Sequence, residues 1–539
     1  MTGTEAAATR SRHPLARLHD PRVVRARCAA ILSSVERGVS HSFTIDRSRL
    51  QPLAERVAAL TLKRFPDLQV PYHSRWRHFE AGGVDRKAEL DALIANRPAH
   101  EQARIRFDLT VISVLLDAGA GPAWRYTEHQ ALSPAALPSA KPDDLLAMLD
   151  KAAAGSKKPV AAAEKSETPT AAAGATEAAA AETEVDSGAD ADPSAASGKV
   201  SAQKATEKAA AEAAATAASI AAAATAKARA SAAVPTPSAA AAPPVASKDV
   251  YTRSEGLGVA SFRAFVAGAF SAHSQDPLRA DASALRHIDA AAVRAMFQSS
   301  PSNPIVGAEG RATLLSRLGN QLHEEAQRTG HEPRPALIFD RLSQGGQRTQ
   351  VSATEVLGEV LRCLSPIWPS GTRVLGLPAG DVWPHRWAGA ALGDGGVDRM
   401  TEGYVPFHKL SQWMTYSLLE PLQWAGIEVT GLQALTALPE YRNGGLLLDA
   451  GVIVPRNLGA VAKLWKPQDE FIVEWRALTV ALIDEVAVLV RQILGKTEAE
   501  LPLACILEGG TWAAGRELAL ELRAGGAPPL KIDSDGTVF

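Results

Sequence analysis

Hydrophobic residues recur at the three- and four-residue spacing of an α-helix along most of this chain. Strict alternation of polar and apolar residues, which is typical of β-strands, is almost absent. The pattern predicts helices over 21–32, 53–65, 101–116, 357–364, 469–494 and 507–526, and others that begin near Ser254 and Ala308. We therefore expect a mainly α-helical, multi-helix globular fold.

The most informative helix lies in the stretch 376–451, and we expect it to start near Phe407 and to kink or end at Pro421. One side carries an apolar stripe with a spacing of four: Leu410, Met414, Leu418 and Leu422. Another side carries rings, an amide and charges: Lys409, Gln412, Trp413, Tyr416 and Glu420. This second side predicts the wall of a pocket for a small polar molecule. The alternative is a lysine whose stem covers half-buried aromatic rings.

Composition divides the chain into four parts. Residues 1–18 are expected to be a flexible N-terminus, and residues 19–150 the N-terminal part of a helical core. Residues 151–248 contain mainly Ala, Thr, Ser, Glu, Lys and Pro without aromatics, which predicts a long disordered insert. Residues 249–539 are expected to complete the same core, because closing a long flexible loop costs little more than closing a short one.

Charge and cysteine usage narrow the function classes. The 539 residues are 46% hydrophobic and 22% charged with a formal net charge of −2, which gives no electrostatic case for nucleic acid or an anionic membrane surface. The three cysteines are far apart, so disulfides and a cysteine zinc site are not expected and a reducing cytoplasm is the natural setting. No apolar segment of a signal peptide follows the N-terminal arginines. The apolar run 477–494 carries three charges and predicts a buried helix rather than a membrane span.

The segment 70–83 concentrates rings and cations within a few positions: Tyr72, His73, Arg75, Trp76 and Arg77. Such density is typical of binding surfaces, and the alternative is a cation–π cluster that closes a loop over the core. His73 and His78 have no third ligand at a recognisable spacing, so the segment does not predict a metal site.

Asp108 lies beside the apolar stripe of the helix 101–116, so its carboxylate is either paired or in use. An ion pair with Arg104, four residues earlier, is one interpretation. The other is a carboxylate at the edge of a dry pocket, where desolvation tunes its pKa. Arg311, in the first turns of the helix near Ala308, is a candidate for an anion site at a helix N-terminus; an ordinary capped helix with a surface arginine is the alternative.

Six long motifs together resemble the uracil-catabolism protein family, whose domain was long described as one of unknown function. They are VPYHSRWRHFEAGG, RFDLTVISVLLDAGAGPAWRY, RSEGLGVASF, NPIVGAEGRATLLSRLG, GLPAGDVWPH and PFHKLSQWMTYSLLEPL. The resemblance covers the chain except its first residues and the Ala-rich insert, which is a departure of this sequence. It implies a part in a route by which fungi and bacteria degrade uracil to urea. Within the last two motifs, four further residues are expected to contact substrate: Asp381, Trp383, His385 and His408.

A weaker resemblance concerns the segment LTALPEYRNGGLLLDAGVI, which is similar to a segment of the queuosine-salvage nucleoside hydrolases. Glu440, Tyr441 and Arg442 stand where those enzymes have Asp-Tyr-Arg. The helix around Asp108 and the C-terminal segment are also similar. The resemblance implies a fold that is DNA-glycosylase-like in part and a reaction that cleaves an N-glycosidic bond. The Pro-Gln that follows in the hydrolases is absent here, which leaves the loop after Arg442 undefined.

The implied pathway suggests the reaction. Uracil becomes a nucleotide whose ring is opened, leaving urea attached to ribose, and an N-glycosidase would break that C–N bond. The transition state is oxocarbenium-like and needs a facing carboxylate. We expect Glu440 to be the catalytic carboxylate and Asp108 to bind urea or the sugar hydroxyls, with Trp413, Tyr416 and Gln412 as pocket wall. The candidates for holding a 5′-phosphate are Arg75, Arg77, Arg311 and Arg442.

This scheme requires no cofactor and no metal. The expected partner is a small molecule, a ring-opened uracil nucleoside or nucleotide, with transient contact to other enzymes of the pathway and none to nucleic acid or membrane. Two rival functions remain: an amidohydrolase that trims the ring-opened product, and a non-catalytic scaffold or sensor for the ring-opening enzyme. The first commonly uses metal ligands or a nucleophile triad, and neither pattern is evident; the second would tolerate loss of Glu440 and Asp108.

Overall fold

Helices account for most of the secondary structure in the computed structural model, which describes residues 15–117, 119–128, 249–368, 372–389 and 401–533. The predicted mainly α-helical fold is therefore confirmed. The insert predicted over 151–248 lies outside the described residues.

The helices before the central stretch are α1 (Pro21–Glu36), α2 (Leu50–Arg64), α3 (Arg75–Phe79), α4 (Arg86–Ile94), α5 (Ala99–Leu115), α6 (Arg253–Val266), α7 (Ala282–His287), α8 (Ala290–Met296), α9 (Ala308–Thr329), α10 (Leu337–Ser343) and α11 (Ala353–Leu364). Those from the central stretch onward are α12 (Lys409–Trp424), α13 (Tyr441–Asp449), α14 (Gly459–Ala462), α15 (Glu470–Leu494), α16 (Leu503–Ile506) and α17 (Trp512–Leu522). A π-helical turn, Leu507–Thr511, joins α16 to α17.

The described strands are short and pair two by two. The antiparallel pairs are β1 (Phe43–Ile45) with β10 (Ile453–Pro455), β2 (Tyr126–Thr127) with β3 (Val250–Tyr251), β5 (Arg373–Val374) with β6 (Leu377–Pro378), and β7 (Val382–Pro384) with β8 (Tyr404–Pro406). The parallel pairs are β4 (Gln350–Ser352) with β9 (Glu428–Thr430), and β11 (Leu464–Trp465) with β12 (Lys531–Ile532). The β2–β3 pair sets Tyr126 opposite Tyr251, so the two chain segments that flank the Ala-rich insert lie side by side.

One large hydrophobic core draws buried residues from both sides of that insert, from Val24 to Leu530. The apolar helix α15 packs against α1 and α2, and α12 packs against α5 and α11. The predicted stripe on α12 lies in this core, since Met414, Leu418 and Leu422 are fully buried. The burial of long helices on several sides explains why their apolar patterns extend beyond one narrow stripe.

Ordered packing begins at a lower residue number in the N-terminal segment than its composition suggests. A 3₁₀ turn covers Ala16–His19, and both Leu15 and Leu18 are buried in a small apolar cluster with Val374 and Val382. Residues 15–18, which were predicted to belong to a flexible terminus, are therefore packed in the fold, and residues 1–14 lie outside the described chain.

The central helix α12 differs from its predicted limits at both ends. It begins at Lys409 rather than near Phe407, because the N–H groups of Phe407 and His408 donate to the backbone carbonyl of Asp381, while the Lys409 N–H donates to its carboxylate. It continues past Pro421 to Trp424. A proline lacks the N–H that would bond to the carbonyl of Ser417. The indole of Trp76 donates to that carbonyl instead, at 3.1 Å, so the helix need not end there.

Candidate functional site

A buried polar cluster surrounds one side of α12. Lys409, Gln412 and Trp413 lie within about 100° of one another around the helix axis, as the spacing predicted. Arg75, His73 and His78 lie against the Trp413 ring, and the charges of Asp117 and Glu440 act on Lys409. The charges of Glu255 and Glu508 act on His78, Trp512 lies against His73, Arg516 pairs with Glu255, and the Asn443 N–H bonds Glu440. Segments distant in sequence thus meet at one place.

Several buried polar atoms of this cluster have no hydrogen-bond partner within the described chain. Three are donors, namely Trp413 Nε1, Gln412 Nε2 and Arg75 Nη2, and one is an acceptor, Asn443 Oδ1. Gln412 is oriented by its other end, since its Oε1 faces the Thr436 N–H at 3.5 Å. Leaving buried donors unpaired is costly in a folded protein. Two of these donors lie close together, since Arg75 stands over the Trp413 ring, and unpaired buried donors are typical of a site that a polar ligand completes.

The carboxylates of the cluster are ion-paired with one exception. Asp117 lies 3.0 Å from Arg75, Glu255 lies 2.6 Å from Arg516, and Glu508 pairs with both His73 and Arg64. Glu440 forms no ion pair with any described residue. The ammonium group of Lys409 is likewise unpaired within the part of the chain that the structure describes.

Lys409 and Glu440 are coupled through space without touching. Burial lowers the pKa of the Lys409 ammonium group, and the negative charges of Glu440 and Asp117 oppose this shift. No ion pair closes between them in the described chain, so neither charge is neutralised by direct contact. This arrangement offers one cation and one carboxylate beside neutral donors.

Glu440 is fixed by its place at the N-terminus of α13. Its Oε2 accepts the N–H of Arg442 and its Oε1 accepts the N–H of Asn443, each at 2.7 Å, so the carboxylate caps the helix. The helix is held by close packing on α17, where a Cβ atom at Gly515 would overlap the carbonyl of Arg442. The half-buried carboxylate is therefore rigidly placed.

Arg75 connects the other groups. Its Nε donates to Ser113 at 2.6 Å, and its Nη1 bonds His78 Nδ1 at 2.9 Å and faces Asp117. Its guanidinium carbon lies 5.7 Å from the centroid of the Trp413 ring. Burial, followed by the charge of Arg75, lowers the pKa of His78 to about 3, so His78 is a neutral acceptor of that hydrogen bond at physiological pH.

His73 stands on another side of Trp413, with ring centroids 6.5 Å apart, and 6.1 Å from the ring of Trp512. Its Nδ1 lies 2.9 Å from Glu508 Oε2. Burial raises the pKa of Glu508, but the hydrogen bond from His73 and the charge of Arg64 more than offset this and hold the pKa below its usual value. Glu508 therefore stays ionised beside His73.

Four residues that the sequence analysis selected join α12 to the segment around α3. Trp76 is in the core, edge-to-face with Phe79 and Trp424. Arg77 pairs with Glu420 at 2.7 Å, and Tyr72 accepts a hydrogen bond from Gln423 at 3.2 Å. These contacts join α3 to α12 and do not bring Tyr72, Trp76, Arg77 or Glu420 to the unpaired donors.

Tyr416 is fully buried in the core, where its hydroxyl donates to the Thr436 carbonyl at 2.9 Å. Arg311 is also buried, and its guanidinium donates to the carbonyls of Leu116 and Val306. Burial lowers the pKa of Arg311 to about 10, while the charge of Asp117 opposes the shift. Arg311 thus braces the end of α5 rather than lying on the surface.

Residues of the GLPAGDVWPH motif organise the start of α12. Asp381 forms a bidentate ion pair with Arg476 at 2.7 Å for both oxygens, and it accepts the Trp383 indole N–H at 2.6 Å. His408 adopts a left-handed backbone conformation with φ of 48° and bonds the carbonyl of Leu18 at 2.8 Å. His385 lies 3.6 Å from Glu474, away from Trp413.

Tyr441 and Arg442 follow Glu440 directly. Burial, then the charge of Glu440, raises the pKa of Tyr441 to about 12. The Arg442 side chain donates to the carbonyl of Gly526 at 3.2 Å. Arg442 therefore lies beside the cluster but is engaged with the C-terminal segment.

Asp108 is fully buried, and both of its carboxylate oxygens accept hydrogen bonds. Its carboxylate accepts the N–H groups of Ala280 and Ala336, at 3.0 and 2.8 Å, and pairs with Arg334 at 2.8 Å. The alternative interpretation, an ion pair with Arg104, is wrong, because Arg104 pairs with other acids. Asp108 ties three segments of backbone together.

The sequence analysis missed several members of the cluster. Asn443, Asp117, Glu255 and Glu508 were not selected, although Asp117 stands in one quoted motif and Glu255 in another. The ion-pair partners of Asp117, Glu255 and Glu508 are far away in sequence, so local spacing gave no signal for them. The described residues contain no group of three or more His, Cys, Asp and Glu side chains that could hold a metal ion. Nor, in the parts of the chain that are described, does any helix combine the length and hydrophobicity that crossing a membrane requires.

Comparison with known proteins places the chain in a family. It matches the family described as "Protein of unknown function (DUF1688)" over residues 17–136 and 239–539. The chain belongs to this family. A member from Schizosaccharomyces pombe, "Protein urg3", is 29% identical over 537 residues, which is 98% of this chain and 100% of the relative. A second, "Uracil catabolism protein 4" from Lachancea kluyveri, is 37% identical over 312 residues, 54% of this chain and 70% of the relative. The resemblance to uracil-catabolism proteins is thereby confirmed.

Proposed function

We propose that this protein acts in uracil catabolism as an N-glycosidase that releases urea from ribosylurea or from its 5′-phosphate. The name of the Lachancea kluyveri relative supports the pathway. The buried polar cluster supports a small polar substrate, since its unpaired groups can bond urea, sugar hydroxyls or phosphate.

The observation that carries the proposal is the unpaired carboxylate of Glu440. Among the described residues of the cluster it is the acid without an ion-pair partner, so its charge is available to a ligand. An oxocarbenium-like transition state develops positive charge on the sugar ring, and a fixed carboxylate stabilises that charge or activates water. Helix α13 holds the carboxylate in place before the reaction begins.

Substrate would bind between Glu440 and the donors on α12. Of the arginines first considered for the 5′-phosphate, Arg75 has an unpaired buried N–H and lies over the Trp413 ring. Arg77 pairs with Glu420 and Arg442 donates to the carbonyl of Gly526. Lys409 supplies an unpaired cation on the same side. We therefore assign the anionic or most electron-rich end of the substrate to Arg75, Lys409 and Trp413.

Asp108 takes a different role in this proposal. Its oxygens already accept two backbone N–H groups and an arginine, so we assign it to holding the framework of the site rather than to touching urea. Tyr416 is assigned to the core behind Gln412 for the same reason.

The test is to incubate the purified protein with ribosylurea and, separately, with its 5′-phosphate, and to quantify urea by mass spectrometry. Release of urea by the parent protein, with strong loss in Glu440→Gln, supports the proposal. Release of ammonia without urea would favour an amidohydrolase. Binding of either compound without turnover would favour a sensor or scaffold.

A further inference from the structure

A histidine–carboxylate pair beside the cluster is not used by the reaction as described so far. His73 Nδ1 lies 2.9 Å from Glu508 Oε2, and no described residue bonds its Nε2. A carboxylate at Nδ1 orients the ring and fixes which nitrogen faces it. The other ring nitrogen, Nε2, is left to exchange a proton with a ligand.

The fold holds this pair firmly. The His73 N–H donates to the Ala504 carbonyl at 2.9 Å, and Glu508 is gripped from the other side by Arg64 at 2.9 Å. The π turn that carries Glu508 lies directly on α2, where a Cβ atom at Gly509 would come within 2.9 Å of Thr61. Single π-helical turns are frequent at functional sites. Here the turn places the carboxylate against His73.

The pair also faces the right place. The His73 ring lies between Trp413 and Trp512, at 6.5 and 6.1 Å, and Trp413 carries one of the unpaired donors of the cluster. Glu440 lies on a different element, α13, and its charge acts on Lys409 of α12. The cluster therefore contains a histidine–carboxylate pair and, on another element, a carboxylate without an ion-pair partner.

We infer that His73 is the catalytic acid that protonates the departing urea nitrogen and that Glu508 is its positioning residue. The inference rests on the proposed function, in which a poor leaving group must be expelled. As the C1′–N bond breaks, its electron pair stays on the nitrogen, which takes the proton from His73 Nε2. Water then bonds to C1′ and gives its surplus proton to Glu440, and exchange with solvent restores both side chains. The sum is ribosylurea plus water giving ribose plus urea.

Leaving-group dependence tests this role. His73→Gln should lower kcat/KM for ribosylurea by about 10²- to 10⁴-fold, the usual contribution of general acid catalysis. It should leave hydrolysis of 4-nitrophenyl riboside close to the parent rate, because nitrophenolate departs without a proton. Glu508→Gln should show the same selective loss to a smaller extent. Exposed His273, replaced by Gln, is the control for loss of a histidine elsewhere.

The possible results distinguish failure of the His73 assignment from failure of the proposed glycosidase function. Equal losses on both substrates, or no loss on ribosylurea, overturn the role of His73 while leaving the glycosidase proposal standing. A parent protein that cleaves neither substrate overturns both. If His73→Gln does not fold, the parent protein alone decides: a series of aryl ribosides should show only a shallow dependence of kcat/KM on leaving-group pKa, and a steep dependence overturns the inference.

Discussion

Replacing Glu440 by Gln removes the charge and keeps the size of the side chain. If Glu440 stabilises an oxocarbenium-like transition state, kcat for urea release should fall by about 10³-fold, which corresponds to roughly 4 kcal/mol at about 1.36 kcal/mol per decade. The Kd for substrate should change little, because a neutral sugar gains nothing from the charge before the bond breaks.

The structure also sets a stability cost for this change. Both carboxylate oxygens cap α13, each accepting a backbone N–H at 2.7 Å, and glutamine retains one acceptor. We expect the free energy of unfolding to fall by about 0.5–2 kcal/mol, the usual cost of a lost cap. Asp289→Ala is the matched control, since it removes the carboxylate that caps α8 through the Ala292 N–H at 2.8 Å, on the surface.

The assay follows urea by mass spectrometry over time at saturating substrate, with folding checked by circular dichroism. Glu440→Gln should lose urea release and Asp289→Ala should retain it, although each change removes an acceptor of a capping hydrogen bond. A correctly folded Glu440→Gln protein that releases urea at near the parent rate would refute the assignment of Glu440. Similar losses in both variants would show that the cap, not the charge, matters.

Four further predictions follow from the structure. Asp108→Asn should lower the free energy of unfolding by about 3–5 kcal/mol because it breaks a buried ion pair, with kcat of the folded protein unchanged; a normal urea-denaturation midpoint would contradict this. Trp413→Phe should weaken substrate binding about tenfold in calorimetry, because the unpaired indole N–H is lost. Met414 is fully buried, so Met414→Ala should lower the free energy of unfolding by about 2–5 kcal/mol and leave binding unchanged. The reverse pattern would contradict the assignment of Trp413 to the binding site. The unfolded chain takes up a proton on His78 below about pH 6.5, while the folded protein does not until about pH 3. The free energy of unfolding should therefore fall by about 1.36 kcal/mol for each unit by which the pH is lowered across that window. His78→Gln should reduce this slope by the same amount when denaturation is measured at several pH values, and an unchanged slope would refute the prediction. Deleting residues 155–245, with a short flexible linker, should leave Tm and kcat close to the parent values because the flanking strands pair directly; a large fall in Tm would count against it.

Local periodicity predicted the features that depend on residues close in sequence, such as which side chains share one side of a helix. It placed Lys409, Gln412 and Trp413 on one side of a helix, and the unpaired donors lie there. It could not place Tyr416, one turn away from Gln412, because only the distant Thr436 carbonyl shows that its hydroxyl points into the core.

Long-range partners account for what was missed. Asp108 pairs with Arg334, 226 residues away, instead of Arg104 in the same helix. Glu508 contacts His73, which is 435 residues away in sequence, and it lies in a π turn that residue spacing does not predict. Helix α12 passes Pro421 because Trp76, from another element, takes up the carbonyl that proline leaves free.

The most direct measurement of the central claim uses ribosylurea and its 5′-phosphate labelled with ¹³C and ¹⁵N in the urea group. Cleavage of the N-glycosidic bond predicts intact, fully labelled urea in the mass spectrum, formed by the parent protein and not by Glu440→Gln. Labelled ammonia and carbon dioxide without labelled urea, or recovery of both compounds unchanged, would contradict the account.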